Sequence, residues 1–167
     1  GLFRSALADE NLVIMVEHVL LYGRRGDAPD DHFMVPIGEA DVNRVGADLS
    51  IVTYHHPVVT ALEAADRLDS KGVQAEVVDL RSLRPLDMET VLGSVRKTNR
   101  AVLLEENWKT GGIMAEVTAR IQQDALDDPV VRVGAEDAPH PYSWDLEQQM
   151  VPSVDDVMDA VGRDFGL

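Results

Sequence analysis

From Asp48 onward, short runs of aliphatic and β-branched residues alternate with stretches in which apolar residues return every three or four positions. Residues 50–54 (SIVTY) have the composition of a strand. Val58, Ala61, Leu62, Ala65 and Leu68 then recur at helical spacing, and Gly72 suits the left-handed position that ends a helix. Residues 75–80 (AEVVDL) predict a second strand. Asp87 is placed to cap a helix with Met88, Val91, Leu92 and Val95 as its apolar stripe, and Arg96 and Lys97 suit the dipole of its last turn. Residues 101–105 (AVLLE) predict a third strand, Gly111-Gly112 a break, 113–125 a helix inward at Ile113, Val117 and Ile121, and 130–133 a fourth strand. A loop rich in Pro, His and aromatics is expected over 134–152. Ser153 with Asp156 has the spacing of a capping box, opening a last helix with Val154, Val157, Met158, Val161 and Phe165 inward.

The strands are nearly continuous apolar runs, as expected when helices cover both faces of a sheet. Strands joined by helices imply right-handed crossovers and parallel pairing. The expectation is an α/β fold: a three-layer sandwich around a mostly parallel sheet of about five strands, spanning residues 34–167.

The first 33 residues do not fit that unit. Residues 12–16 (LVIMV) read as a strand buried on both faces, yet only the short segment 2–7 precedes them, and 23–33 read as an exposed linker. Residues 1–22 are therefore expected to be the tail of a preceding domain, making the chain a fragment or one half of a split protein. The alternative is that 12–16 join the edge of the main sheet.

Charge narrows the classes of partner. Thirty acidic residues against fifteen basic ones give a net charge of −15, which argues against nonspecific nucleic-acid binding and disfavours anionic membranes. The run 12–16 is far shorter than the ~20 residues of a membrane span. Residues 124–167 hold eleven Asp or Glu against two Arg, a net −9 that suits a solvated face or the docking of a basic module. The absence of cysteine excludes disulfides, thiolate metal sites and Cys nucleophiles, and is compatible with a reducing, cytoplasmic location.

No phosphate-binding glycine motif, nucleophile elbow or zincin motif is present. His55-His56 ends the first main strand, on the side where parallel sheets bind ligands. The pair can handle protons there or simply terminate the strand, and no acid lies at a sequence spacing that would orient either ring. Glu105-Glu106 ends the third strand. Paired carboxylates can do acid–base work, but neighbours on a strand point to opposite faces and need not share a site. Gly111-Gly112 opens a helix whose N-terminus can hold an anion, or serves only a tight connection. His140, between Pro139 and Pro141 and near Tyr142 and Trp144, lines a cleft or a packed loop.

Several blocks resemble one family closely and in register. They are EHVLLYG at 17–23, VPIGEA at 35–40, AEVVDLRSLRPLD at 75–87, SVRKTN at 94–99, EENW at 105–108, and the stretch from PVVRV at 129–133 to Pro141-Tyr142. The family is the beta chain of the thiamine-diphosphate-dependent decarboxylating component of 2-oxo-acid dehydrogenase complexes, and the resemblance covers essentially the whole chain. It implies a transketolase-like C-terminal domain over 34–167 and, in 1–22, the end of a truncated pyrimidine-binding domain. It implies thiamine diphosphate and magnesium in the intact complex, held by that upstream domain and the alpha chain, with no catalytic or cofactor-binding residue in this chain, which alone is expected to be inactive.

By the same resemblance, Ala6, Leu7, Asp9 and Asn11 would line part of a potassium site. The expected partners are an alpha subunit and a second beta subunit in an α2β2 heterotetramer. The small basic subunit-binding domain of the acyltransferase is a further one, docking near Asp124, Asp127, Asp128 and Leu167. Pyruvate is the expected substrate of the whole enzyme. Branched-chain 2-oxo acids, acetoin, or a stand-alone interaction domain are the alternatives.

Overall fold

The computed structural model describes residues 1–26, 32–124 and 129–167. Its single sheet contains β1 (Asp41–Arg44), β2 (Leu49–Thr53), β3 (Ala75–Asp79), β4 (Ala101–Trp108) and β5 (Val130–Ala135), in the order β1-β3-β2-β4-β5. All neighbours pair parallel except β1, which is antiparallel to β3. The helices are α1 (Leu2–Ala8), α2 (Pro57–Asp69), α3 (Met88–Thr98), α4 (Ile113–Gln123), α5 (Trp144–Met150) and α6 (Val154–Phe165), with a single 3-10 turn at Val19–Leu21.

Two cores make the three layers. Leu49, Ile51, Val77, Val102 and Leu104 pack under α2 and α6, while Val52, Val78 and Leu103 pack under α3 and α4. Successive residues of one strand thus feed opposite cores, which is why the strands are apolar without alternation.

Polar side chains inside the α3 layer are all paired. Ser50 Oγ lies 2.7 Å from both Ser94 Oγ and Thr98 Oγ1, pinning α3 to the central strand. Buried Glu76 accepts from Lys97 and from the Gly46 amide. Burial alone would raise its pKa, but Lys97, Ser94 and Gly46 outweigh that and hold the carboxyl below its usual 4.5. Gly46 is required by contact, since a Cβ there would sit 2.3 Å from the backbone of Ala75 and Glu76.

The caps form as the spacing predicts. Ser153 and Asp156 make a reciprocal capping box at α6. Asp87 caps α3 through Thr90 N–H at 3.0 Å and also accepts from Ala40 N–H at 3.0 Å, tying the segment before β1 to the helix. Burial opposes its ionisation, but the Thr90 hydroxyl and backbone donors leave its carboxyl below the usual 3.8.

The connection from β4 to α4 is held by Glu105, whose side chain is buried. It accepts from Arg132 Nη2 at 3.1 Å and from the Met114 amide at 3.3 Å, so a carboxylate sits in the first turn of α4. Gly112 leaves it that space: a Cβ at this position would lie 2.3 Å from Glu105 Oε1.

Three readings are corrected. The fifth strand is β1, whose sequence DVNR carries no strand signal, so the alternative in which 12–16 join the edge of the main sheet is overturned. β1 is held by pairing to β3 and by the ion pairs of Asp41 with Arg81 and of Arg44 with Asp66 and Asp69. Residues 12–16 are extended but unpaired, with Leu12 93%, Ile14 82% and Val16 70% exposed. Among the described residues no segment offers their backbone a ladder of partners. The loop 134–152 contains α5, and α4 ends at Gln123, short of the expected 125. Among the described residues, no helix is long and apolar enough to cross a membrane.

Three variants check this scheme. Asp87→Ala should cost about 1–2 kcal/mol in urea denaturation at neutral pH, the usual weight of an N-cap. Because the folded pKa values of Asp87 and Glu76 are depressed, their contribution is full above the ordinary 3.8 and 4.5 and is lost as pH falls through the lower folded values. The deficit of Asp87→Ala should therefore shrink in acid. Gly112→Ala, at an ordinary φ of −67°, should cost about 1–3 kcal/mol by forcing Glu105 off its partners. Gly111→Ala, at φ +76°, should cost about 1 kcal/mol from backbone strain alone.

Candidate functional site

In this sheet the chain leaves β2 through α2 toward β3, and leaves β4 through α4 toward β5 on the other side. The order therefore reverses between β2 and β4, and the carboxyl ends of these two strands flank the crevice where open α/β sheets take ligands. Tyr54, His55 and His56 extend from β2 into this region, and the last four residues of β4, Glu105 to Trp108, border it.

Residues 16–22 lie across that crevice. His18 Nε2 is 3.0 Å from Glu106 Oε2, and His56 Nδ1 is 2.9 Å from Glu106 Oε1. The two imidazoles stack at 4.8 Å with 14° between their planes. His55 Nε2 meets the Val16 carbonyl at 2.8 Å. His55 has a φ of +63°, a left-handed conformation rare for a residue with a side chain and characteristic of strained functional positions. His56 N-caps α2 with Pro57 at the first helical position.

Here the expectation that no acid orients the histidines is overturned. Glu106 does so from a distant strand, and it brings in His18, whose place in the EHVLLYG block was its only visible signal. Glu105 and Glu106 do point apart, one into α4 and one into the crevice. The Gly111-Gly112 helix start is not an open anion site, because the chain's own Glu105 carboxylate fills it.

Two further groups at the strand ends are perturbed. Burial, reinforced by the nearby charge of Glu105, pushes the Tyr54 hydroxyl up to about 12, so it stays neutral and accepts from Asn107 Nδ2 at 3.4 Å. Burial likewise raises Asp79 against the opposing Arg81 amide and guanidinium. Neither residue stands out in the sequence, since its environment is made by elements folded over it.

The remaining candidates lie apart. Asp9 accepts from the Asn11 amide at 2.8 Å and from its Nδ2 at 2.9 Å, just past the C-terminus of α1, where Ala6 and Leu7 form part of the last turn. These Asn11 donors, backbone first, hold the Asp9 carboxyl below its usual value. Asp124 pairs with Arg96 at 2.9 Å, and Leu167 packs partly buried against the α2/α6 core. Asp127 and Asp128 lie outside the described residues. His140 reaches Glu147 at 3.4 Å on an exposed loop and lines no cleft with the histidines above.

The family described as "Transketolase, C-terminal domain" matches residues 38–157. Among curated relatives, the mitochondrial pyruvate dehydrogenase E1 component subunit beta of Bos taurus is 40% identical over 175 residues, covering 100% of this chain and 49% of the relative. The subunit beta-2 of Oryza sativa subsp. japonica is 42% identical over 98% of this chain and 45% of its own length. That of Porphyra purpurea is 43% identical over 96% and 50%. The chain thus spans about half the length of the curated relatives it matches.

Among solved structures, a split-gene transketolase described as an inactive beta4 tetramer superposes with a TM-score of 0.71 at 33% identity, covering 86% of this chain and 46% of that one. The 2-oxoglutarate:ferredoxin oxidoreductase of Magnetococcus marinus shares the fold at a TM-score of 0.52 and 13% identity, over 75% of this chain and 19% of that one. With its mostly parallel sheet, its β2/β4 switch point and a match running from Gly38 to Val157, this chain belongs to the transketolase C-terminal domain family.

Proposed function

We propose that the chain serves as the C-terminal, assembly-bearing part of a beta subunit in a pyruvate-type 2-oxo-acid dehydrogenase decarboxylating component. The observation that carries this reading is the identity of about 40% to pyruvate dehydrogenase beta subunits along the whole chain. In such an enzyme thiamine diphosphate with magnesium supplies the electron sink for decarboxylation when bound. The residues here do not fit a diphosphate: α4's N-terminus already holds the buried Glu105 carboxylate, and a second anion would be repelled by it.

The role of this chain is then to hold subunits together, an alpha subunit and a second beta subunit in an α2β2 heterotetramer. The inactive beta4 tetramer of the split-gene relative supports the idea that beta chains of this fold associate with one another. The exposed Leu12, Ile14 and Val16 support a reading in which residues 1–22 pack on a preceding pyrimidine-binding domain, with 23–33 as the linker to the domain over 34–167.

Potassium is part of the same proposal. The carbonyls that end α1 lack helical partners, and Asp9 turns the chain so that Asn11 lies beside it. Backbone oxygens of Ala6, Leu7 and Asp9 with the side chain of Asn11 form a hard-oxygen set suited to such a cation, to be completed from outside this segment. Docking of the basic subunit-binding domain of an acyltransferase near Asp124, Asp127, Asp128 and Leu167 fits the net −9 of residues 124–167. A cytoplasmic location fits the lack of cysteine.

Three experiments test this reading. Disrupting the gene segment that encodes the chain should abolish pyruvate-driven decarboxylation in extracts and spare other 2-oxo acids; a loss confined to branched-chain 2-oxo acids would point to the second substrate class. Calorimetric titration of the purified chain with thiamine diphosphate and magnesium should show no stoichiometric tight binding, and a tight one-to-one complex would refute the assignment. Capture of the chain by an immobilised subunit-binding domain should weaken steeply as salt rises, because screening acts on exposed charge pairs.

A further inference from the structure

We infer that His18, His56 and Glu106 form a binding site for one zinc-type divalent cation, which fastens residues 16–22 over the crevice between β2 and β4. Nothing in the proposed assembly role requires such a site, and the argument stands independently of that role.

The three side chains come from segments far apart in the chain, yet their ligand atoms all lie within 4.8 Å of one another. Two imidazole nitrogens and a carboxylate oxygen are the donor set of zinc centres that keep a fourth position open. The site is half-buried, with side-chain exposures of 21% for His18, 26% for His56 and 25% for Glu106, so an ion can enter and a water can complete its shell. Among the described residues, the ion-pair partners of Glu106 are these two imidazoles, and no Lys or Arg takes the place a cation would occupy.

The geometry is close to what an ion needs. Ligand atoms around tetrahedral zinc stand about 3.3 Å apart, given metal–ligand distances of roughly 2.0–2.2 Å. The His18 and His56 nitrogens stand 3.0 and 2.9 Å from the two different oxygens of Glu106, and the three ligand atoms lie within 4.8 Å of one another, so holding an ion on one oxygen requires small shifts of the rings toward a common centre. The near-parallel stacking turns both rings toward the same carboxylate. The left-handed backbone at His55 directly precedes His56, and the ring of His55 holds the Val16 carbonyl, so the residue under strain is the one that joins both walls of the site.

Two ring protons must move. His18 Nδ1 accepts from the Leu20 amide at 3.3 Å, which places the ring proton on Nε2, where it donates to Glu106. Zinc on Nε2 shifts that proton to Nδ1 and releases the Leu20 amide to solvent. That bond is long and exposed, so water replaces it. His56 Nδ1 likewise donates to Glu106 before the ion binds, so its proton shifts to Nε2 when Nδ1 takes the metal. The ion then replaces two hydrogen bonds to one carboxylate with three metal bonds, and clamps to the domain a segment that has no strand pairing of its own.

The test is calorimetric titration of the metal-stripped chain with Zn2+, paired with the visible absorption of the Co2+ form. We expect one ion per chain and a Co2+ spectrum of low coordination number. Glu106→Gln and His56→Ala should each weaken binding by at least about tenfold, and His140→Ala, outside the site, should leave it unchanged. Limited proteolysis within residues 12–22 should slow on adding Zn2+ to the wild type and not to Glu106→Gln. Should Glu106→Gln fail to fold by circular dichroism, His18→Asn on the exposed segment decides in its place. Absence of stoichiometric binding at about 100 μM Zn2+, or binding that survives both Glu106→Gln and His18→Asn, would overturn the site and leave a purely hydrogen-bonded clasp.

Discussion

Parallel pairing of β2 with β4 at the middle of the sheet is the constraint from which the rest of this molecule follows. Neighbouring parallel strands cannot be joined by a tight turn, so the chain must cross over, and here it does so in opposite senses on the two sides of that pair. The crossovers place α2 and α6 on one face and α3 and α4 on the other, and each strand contributes alternate residues to the two cores. At the carboxyl ends of β2 and β4 the connections diverge, and the polar residues that end the strands are left facing one another. The crevice is a consequence of topology, and its chemistry depends on which side chains the two strand ends carry.

What those strand ends carry is set by the two-residue period of β4. Glu105 turns inward, where burial would penalise its charge, and the α4 amide at Met114 and the Arg132 guanidinium supply the compensation. Glu106 turns outward and meets imidazoles. One step along the backbone therefore separates a carboxylate that fastens a helix from one that organises the crevice. This division also removes the anion-binding capacity of the glycine pair at α4, since the space that Gly112 leaves open is occupied from within.

Much of the fold was legible because burial and periodicity coincide. The four parallel strands, the helices between them, the Asp87 cap and the Ser153–Asp156 box all follow from local patterns, and the structure contains them. β1 was not legible, because DVNR has neither alternation nor strand propensity and is held by ion pairs with residues that only the fold brings near. Residues 12–16 are the opposite case: their composition is that of a buried strand, and no ladder partner for them is present among the described residues. The site shows the same limit. The adjacency of His55 and His56 was visible, while their link to Glu106, 50 positions beyond His56, and to His18, 88 positions before Glu106, exists only once β2 and β4 are paired.

The exposed strand-like segment and the histidine cluster are connected physically. Residues 12–16 expose large apolar side chains, so the chain gains nothing by burial there, yet Val16 and His18 are held against the domain by polar contacts at His55 and Glu106. Such contacts are directional and few, each of modest net weight in water. They fix where the segment leaves the domain without fixing what its apolar residues face. An apolar partner surface would supply the missing burial, and the polar clasp would set the angle at which that surface meets the sheet. In the proposed packing of residues 1–22 on a preceding domain, directional polar contacts at the crevice and nondirectional burial along 12–16 would divide the work of positioning it. Loosening the clasp should alter the geometry of that meeting before it alters the stability of the sheet, whose cores do not include the clasp residues.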